Sequence, residues 1–422
     1  MALQIYPPTR GKQPDRREDL NTFEPYNDPK APLPEESLDT ENRGEIAINQ
    51  YALLDLCNDV RTSLQEDACL GPRGEVLMRL LGAVIKSEYD GAPILDLKLI
   101  RATRLDKLLA DIHDKTRHLE HMTPDSRACL SIADSLQRHW RMRLRDGYLG
   151  LDNSRYHGLT QRNGRLENVY FDDAKCGEAC QWTAQGGEAL SEVEGNTEIK
   201  EGHWWLNLAC AQRDGIVCCS SESVSKGRYG IVTVPLLTGT EIVQWPAGTA
   251  KYVREGTMRD MCVALISQVG TKIRILRGHL LKSPFAPKAG VRYDGQYFIR
   301  RYGQSRNQLT GVFRLSIDLE RVAGQTPMHE ICQSPRPSDI DDWNLFEKLE
   351  SDILKKKWDD ERHLEWKRER AQKRADQEQF QEMVQLESMK VIQKMRDEDI
   401  LDSENMEELK FVHKLADLKW ER

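Results

Sequence analysis

The sequence predicts an α+β protein in which a helical region precedes a β-rich domain and long charged helices follow it. Apolar residues recur at helical spacing between residues 44 and 145. From 146 to 327, glycine becomes frequent and short β-prone runs alternate with turn-forming residues. We therefore expect a disordered Pro-rich arm at 1–43, a helical region at 44–145, a β domain at 146–327, a linker at 328–342 and a helical tail at 343–422.

The overall charge limits how this chain could bind nucleic acid. It has 422 residues, 61 Lys and Arg against 68 Asp and Glu, and a formal net charge of −7. Any nucleic-acid surface must therefore be a local basic patch on an acidic protein. We find no run of about 20 apolar residues that would span a bilayer and no apolar stretch typical of a secretory signal. These features predict an intracellular protein with no membrane partner and mostly reduced cysteines.

The N-terminal arm and the helices after it differ sharply in composition. Residues 1–43 carry seven prolines among polar and charged residues, too little apolar area to offset the entropy of the chain. In the helical region, Leu105, Leu108, Leu109 and Ile112 fall on one helical face. Thr123-Pro124 reads as an N-cap followed by proline at the first helical position. A small helical bundle is the expected result.

Four runs are the best candidates for strands: "YGIVTVPLL", "TKIRILRG", "QYFIRRYG" and "VFRLSIDLERV". The segment 163–201 is acidic and Gly-rich, so we expect a long surface loop there. After the β domain, Pro335 and Pro337 interrupt the chain, and Ser338 with Asp341 three residues later marks a helix start.

Two interpretations of the charged tail stay open. It is either a solvated helix stabilised by i,i+4 ion pairs or a coiled coil that binds a partner. Its apolar stripe at Leu345, Leu349 and Ile353 resumes only after a charged stretch at 359–379, so the heptads are broken. The solvated helix is the simpler reading, while self-association or a protein partner through 343–422 is the alternative.

Sequence motifs of common enzymes are absent. The chain contains no phosphate-binding G-x-x-x-x-G-K-[ST], no H-E-x-x-H and no G-x-S-x-G. The cysteines at 176, 180, 218 and 219 lack the paired spacing of common zinc modules. We therefore expect a protein that is not an enzyme, with no metal site and no cofactor.

A basic and aromatic stretch, "APKAGVRYDGQYFIRRYG" at 286–303, is the strongest candidate for a binding surface. Cations neutralise phosphates and aromatic rings stack on bases, so the composition suits nucleic acid. The alternative is an ordinary strand face whose arginines are solvated or paired with carboxylates. Asp294-Gly295 is also a favoured hairpin turn. The candidate DNA-binding residues in and before this stretch are Arg274, Arg277, Lys288, Arg292, Arg300 and Arg301.

The same stretch resembles the end of an SRA (SET-and-RING-associated), or YDG, domain of the fungal type. The matching residues are Ala286-Pro287, Gly290, Arg292, Tyr293, Asp294, Gly295, Tyr297, Arg321, Gly324, Gln325 and Pro327. Weaker matches follow the family's order, including "EGHWW" and "GRYGIV" with Tyr229, and the resemblance covers about 200–327 with an extension back to about 91. It implies an SRA-like curved β-barrel core that grips duplex DNA and flips a 5-methylcytosine into a pocket.

The pocket segments depart from the family pattern. Leu237 stands near the family's stacking tyrosine, Thr240 near its base-reading acid and Trp245 near its second aromatic position. Leucine does not stack as an aromatic ring does, and threonine accepts from a cytosine amino group less well than a carboxylate. The basic finger that follows the pocket in the family is shortened here and leaves Lys251, Arg254 and Arg259.

The resemblance therefore implies a nuclear, non-enzymatic chromatin or DNA-binding protein of the kind that reads modified (5-methylcytosine) DNA, here with a degenerate pocket. The alternative is an interaction scaffold that uses the SRA-like core and the C-terminal helices for protein partners without DNA readout. Duplex DNA is the expected partner in the first case, and a protein or a second copy of the chain in the alternative.

Overall fold

The structure is a computed structural model, and it describes residues 49–116, 124–172, 181–184, 199–227, 230–244, 249–257 and 263–397. All of these residues belong to one compact unit. The unit is α+β. Helices precede a mixed sheet of many strands in the sequence, and further helices follow it. The predicted arm at 1–43 lies outside the described residues.

Six helices form the N-terminal helical part of the chain, which extends beyond the predicted boundary at residue 145. They are α1 (Gln50–Asp67), α2 (Gly74–Tyr89), α3 (Leu97–Thr103), α4 (Leu105–Thr116), α5 (Pro124–Leu149) and α6 (Leu151–Gly158). The predicted face of α4 is fully buried in their shared core. Pro124 is the first residue of α5, as expected from the tolerance of proline where no intrahelical N–H bond is needed.

The β domain contains one curved mixed sheet. Its strands are β3 (Trp204–Trp205), β4 (Ser225–Gly227), β5 (Gly230–Leu236), β6 (Thr240–Gln244), β7 (Thr249–Gly256), β8 (Lys272–Gly278), β9 (Val291–Arg306) and β10 (Phe313–Arg321). The order is β4-β5-β8-β9-β10-β7-β6, with β3 paired to β9. A helix, α7 (Leu208–Arg213), follows β3. The four predicted strand runs are confirmed as β5, β8, β9 and β10.

The connection between β5 and β6 requires the sheet to curl. Only residues 237–239 join these two strands, yet four other strands lie between them in the sheet. In a flat sheet they would be about 24 Å apart, whereas the connection spans at most about 14 Å. The two ends of the sheet must therefore approach each other. Among the described strands the path stays open at β4 and β6, so the expected closed barrel is not found.

Tyr293-Asp294-Gly295 is not a hairpin turn, which corrects the sequence interpretation. The tripeptide lies within β9, where the register against β8 shifts between Arg274 and Leu276. Gly295 has φ 101°, and a Cβ there would lie 2.4 Å from Oε1 of Gln325. Asp-Gly suits a bulge as well as a turn, because both need a residue with positive φ. The bulge leaves the Asp294 side chain fully buried.

Residues 328–342, expected to be a linker, contain helical structure. They include α8 (Met328–Ile331) and the start of α9 (Pro337–Lys357). Asp339 accepts a hydrogen bond from the backbone N–H of Arg336, so α9 begins near the predicted start. Trp343 and Phe346 of α9 are buried in the core of the β domain. The first half of the predicted tail is thus an integral part of the fold.

The acidic start of α9, formed by Asp339, Asp341 and Asp342 in its first two turns, joins the helical region to the β domain. Arg61 of α1 binds Asp341 with both terminal nitrogens, at 2.7 and 3.0 Å. Asp342 accepts from Arg104 and from Arg165. Carboxylates are favoured at a helix N-terminus, and here they also hold two separate parts of the chain together.

The rest of the tail is the helix α10 (Asp360–Asp397). Arg370 and Arg374 pair with Glu347 on α9, while Gln377 and Gln381 donate to the backbone oxygens of Leu281 and Ser283. Within the described residues, no helix is both long and apolar enough to cross a membrane.

The predicted surface loop at 163–201 contains a small hairpin. Strands β1 (Val169–Asp172) and β2 (Gln181–Ala184) pair with each other. Trp182 packs on Phe346 of α9, and its indole N–H donates to Glu350 at 3.1 Å. The tryptophan explains why this part of a polar segment is ordered against the core.

Candidate nucleic-acid interface

A β-bulge places two consecutive arginines on the exposed face of the sheet. In β9, Arg301 pairs with Asp318 and Ile299 pairs with Leu319, so Arg300 is an extra residue between them. Regular alternation would turn one of two adjacent side chains inward, but the bulge leaves both exposed. The neighbouring Leu315, Ile317 and Leu319 of β10 turn to the buried inner face.

The exposed cations of this face form what we call the outer basic face. Its members are Lys251, Lys272, Arg300, Arg301 and Arg314, contributed by β7, β8, β9 and β10. Arg301, Asp318 and Lys251 lie in one cross-strand row, and Arg314 lies four residues from Asp318 along β10, on the same face. Three carboxylates share the face, at Glu255, Asp318 and Glu320. Its cations therefore outnumber its acids, unlike those of the chain as a whole.

An aromatic ring lies among these cations. The guanidinium of Arg300 is 4.9 Å from the centre of the Phe298 ring, and the ammonium of Lys272 is 5.8 Å from it. Arg300 also forms an exposed ion pair with Glu320, with Nε and Oε2 2.6 Å apart. Exposed ion pairs contribute little to stability, so Arg300 could exchange this partner for a phosphate.

Arg277 and Arg292, predicted to contact DNA, are instead buried inside the curled sheet. Both side chains of the Arg277–Glu241 pair are fully inaccessible, and Arg277 reaches both carboxylate oxygens of Glu241 at 2.6 and 2.8 Å. Asp294 accepts from Arg277 at 2.8 Å and from Arg292 at 2.6 and 3.0 Å. The expected exposed positions of these two arginines are therefore wrong. We call Glu241, Arg277, Arg292 and Asp294 the buried charge network.

The protonation states of the buried charge network follow from its pairing. Burial alone would raise the pKa of Asp294, but Arg292 and Arg277 hold it below its ordinary value. Burial would lower the pKa of Arg277, but Glu241 and Asp294 raise it above its usual range. The arginines stay charged and the carboxylate of Asp294 stays ionised, so the network is a set of matched ion pairs.

The remaining predicted cations occupy different environments. Arg274 is buried and Arg254 is half-buried, with Nη1 3.5 Å from a carboxylate oxygen of Glu222. Lys288 is exposed in the segment before β9, away from the strands that carry the outer basic face. Arg259 lies outside the described residues.

The predicted pocket positions are not brought together around an open acid. Leu237 is half-buried, and its backbone N–H donates to Glu222 at 2.7 Å. Thr240 pairs with Val253 of β7, on the opposite face of β6 from Glu241. Glu241 is the buried acid of this segment, but Arg277 and Ser283 occupy its oxygens. Trp245 and Tyr229 lie outside the described residues.

Sequence reasoning missed two functional positions. Arg314 belongs to the outer basic face, and strand alternation in "FRLSIDLER" would have put it opposite the apolar Leu315, Ile317 and Leu319. Glu241, one residue after Thr240, is a fully buried acid that the sequence analysis did not single out. No local signal pairs Glu241 with Arg277, because the curl of the sheet brings them together.

The cysteines with close sequence spacing do not form a metal site within the described ranges. No group of three or more His, Cys, Asp or Glu there is arranged to hold an ion. Cys218 and Cys219 are free thiols, and hydrogen bonds from Ser221 and Ser223 lower the pKa of Cys219 despite its partial burial. The cysteines at 176 and 180 lie outside the described residues.

No protein-family model and no curated protein match this chain. Solved structures do, among them "Arabidopsis thaliana SUVH6 in complex with SAM", at 19% identity and a TM-score of 0.28. The match covers 35% of this chain and 30% of the SUVH6 chain. A complex of the SUVH5 SRA domain with hemimethylated CG DNA matches at 16% identity and a TM-score of 0.25, over 31% of this chain and 94% of that one.

A "modification dependent TagI restriction endonuclease" also matches, at 17% identity and a TM-score of 0.26, over 36% of this chain and 57% of that one. The structural neighbours are thus SRA domains and an endonuclease directed at modified DNA. Their TM-scores are too low to establish a common fold. These likenesses therefore carry no functional conclusion, which must come from the surface of this chain.

Proposed function

We propose that this chain is a non-enzymatic protein that binds the backbone of duplex DNA through the outer basic face. The observation that carries the proposal is the bulge in β9. It exposes Arg300 and Arg301 together, in line with Lys251 across three strands. A structural role would not need this arrangement, because the inner face is already packed with apolar residues.

The dimensions of the face suit a nucleic acid. From Lys272 on β8 to Lys251 on β7 the sheet crosses three inter-strand steps, about 14 Å. The major groove is about 12 Å wide, so cations at the two ends of the face can reach phosphates on either side of a groove. Phe298 between Lys272 and Arg300 adds an apolar contact to sugar or base edges.

Recognition of a modified base would further require a pocket with a free acid and an aromatic ring. Leu237 offers no aromatic platform, and the acid of Glu241 is saturated by Arg277 and Ser283. Freeing that acid would break a fully buried ion pair and leave Arg277 to share Asp294 with Arg292, which costs about 3–5 kcal/mol. We therefore propose that binding does not depend on cytosine methylation. We also propose that the protein is nuclear.

The test is fluorescence anisotropy of a labelled duplex with the full-length protein at about 50 mM salt, where we expect a dissociation constant of about 1–100 µM. Lys251→Ala/Arg301→Ala removes two phosphate contacts and should weaken binding about tenfold or more. Methylated and unmodified duplexes of the same sequence should bind equally.

The matched control is Lys86→Ala/Lys98→Ala, which removes two exposed lysines from α2 and α3 and keeps the same change of charge. This variant should bind as the wild type does. Equal weakening in both variants would show that only net charge matters and would refute the outer basic face. Tighter binding to the methylated duplex would restore the modified-base reading.

A second candidate function has one specific observation in its favour. Beyond the last contact between α10 and the body, at Gln381, Met383 and Leu386 are 50% and 60% exposed. An apolar pair on a projecting helix suits a protein partner or a second copy, which was the scaffold alternative. Because α9 belongs to the core, the described part of the tail that could serve such a partner is α10.

Light scattering on the full-length chain separates the two functions. If the scaffold alternative holds by self-association, the wild type is larger than a monomer and Met383→Glu/Leu386→Glu reduces its mass. The same variant should leave DNA binding unchanged if the outer basic face is the nucleic-acid surface. A monomeric wild type would count against self-association through α10.

A further inference from the structure

A cavity of about 270 Å³ in the helical region is lined by arginines. Arg101 of α3, Arg104 after α3, Arg155 of α6 and Arg162 of the following turn all contribute to its wall. The remaining lining residues are uncharged, so no carboxylate lines the cavity. It lies far along the chain from the outer basic face and has no part in the proposed DNA contact.

Two of these arginines pair with carboxylates that do not line the cavity. Asp106 binds both terminal nitrogens of Arg155, and Asp342 of α9 binds Nη2 of Arg104. Each of these arginines is thus paired with a carboxylate, and its side chain also borders the cavity. Their side chains are only 3% and 11% exposed, so they form its floor.

The other two arginines lie at the rim. Arg101 is exposed and its Nη1 donates to the hydroxyl of Ser154 at 2.7 Å. Arg162 is exposed and forms no ion pair with any described residue. The cavity therefore has two neutralised guanidiniums at its floor and two uncompensated ones at its rim.

Arg104, one of the two floor residues, also carries a polar atom that lacks a hydrogen-bond partner. Its Nη1 is buried and has no hydrogen-bond acceptor among the described residues. Buried guanidinium nitrogens are nearly always satisfied, and an exception calls for an explanation such as a ligand. Arg104 has φ 59° because it ends α3 in the left-handed conformation that is common at helix C-termini.

We propose that this cavity binds the terminal phosphate of a small phosphorylated molecule. Guanidinium groups match the oxygens of phosphate by paired hydrogen bonds, and the two rim arginines balance the two charges of a phosphomonoester. The volume lies just below the range of about 300–1,000 Å³ typical of small-molecule pockets, which suits a phosphate with a small substituent. A phosphodiester of a duplex, flanked by sugars, would reach only Arg101 and Arg162.

The probes are inorganic phosphate, glycerol 3-phosphate and sulfate, titrated into the full-length protein by calorimetry. We expect one saturable site for the two phosphates with a dissociation constant below about 1 mM. Arg162→Ala should weaken it about tenfold, and Arg101→Ala/Arg162→Ala about a hundredfold. Neither rim arginine has a buried side chain, so both variants should fold, which their unliganded urea midpoints will show.

Lys98→Ala is the matched control, because Lys98 is exposed on α3 three residues before Arg101 and does not line the cavity. It should bind glycerol 3-phosphate as the wild type does. Binding should strengthen as the pH rises through about 6, where a phosphomonoester becomes a dianion, while the affinity for sulfate stays level.

Three results would overturn the proposal. One is no saturable heat with either phosphate, and another is unchanged affinity in the double rim variant. The third is displacement of glycerol 3-phosphate by an unmodified duplex, which would assign the rim arginines to a nucleic-acid surface instead. Retention of glycerol 3-phosphate at saturating duplex would support a separate small-molecule site.

Discussion

Replacing Asp294 by Asn should destabilise the protein strongly without changing the shape of its core. Asp294 is fully inaccessible and accepts three hydrogen bonds from Arg277 and Arg292. Asparagine has nearly the same volume but no charge, and its amide nitrogen would face guanidinium donors. Arg292 would lose its carboxylate, although it keeps backbone oxygens of Ser334 and Phe285 as partners.

The size of the effect follows from the pairing. Removing one partner of a buried ion pair costs about 3–5 kcal/mol, because the other charge stays buried without compensation. Arg277 retains Glu241, while Arg292 retains no other carboxylate in the buried charge network. We therefore expect a loss of about 3–5 kcal/mol in the free energy of unfolding, at the upper end of single substitutions.

Urea denaturation followed by tryptophan fluorescence measures this loss near neutral pH. Asp318→Asn is the control, since Asp318 lies half-buried on the outer face of the same sheet and should cost below about 0.5 kcal/mol. The folded pKa of Asp294 is lowered, so its contribution is present above the unfolded pKa of about 4 and is lost as the pH falls further. An Asp294→Asn variant no less stable than Asp318→Asn would refute the account of the buried charge network.

Three further predictions concern other parts of the fold. Asp342→Asn removes the shared acceptor of Arg104 and Arg165 and should cost about 3 kcal/mol by urea denaturation; a cost near zero would show that the acidic start of α9 does not join the two parts. Burial, with Arg370 and Arg374 nearby, lowers the pKa of His279 to about 4, so the stability from its neutral form is full above about pH 6.5 and falls below it, by about 1–2 kcal/mol at pH 5. His279→Gln should flatten this part of the pH profile, and an unchanged profile would contradict it. Asp318→Asn removes a carboxylate from the outer basic face and should strengthen duplex binding about two- to threefold at low salt, whereas weaker binding would oppose a phosphate contact there.

Local patterns in the sequence were sufficient to predict several of the regular elements. The apolar spacing of Leu105, Leu108, Leu109 and Ile112 matches a fully buried face, and the four β-prone runs match strands. Such patterns depend only on the period of one element, so they survive without knowledge of the fold. The helix start near Pro337 could be predicted for the same reason.

Long-range pairing explains the predictions that failed. Arg277 and Arg301 look alike in the sequence, yet one is buried against Glu241 and the other exposed by a bulge. Both outcomes depend on the curl of the sheet and on strand register, which neighbouring residues do not determine. Asp294-Gly295 likewise suits a turn or a bulge, and the partner strand decides between them.

The salt dependence of duplex binding tests most directly whether the outer basic face, and not the buried arginines, contacts DNA. Four or five phosphate contacts predict that the logarithm of the binding constant falls with the logarithm of salt at a slope of about −4 between about 50 and 200 mM. Lys251→Ala/Arg301→Ala should reduce that slope by about 2, and Lys86→Ala/Lys98→Ala should leave it unchanged. A slope equal in both variants, or no binding at the lowest salt, would contradict the proposed interface.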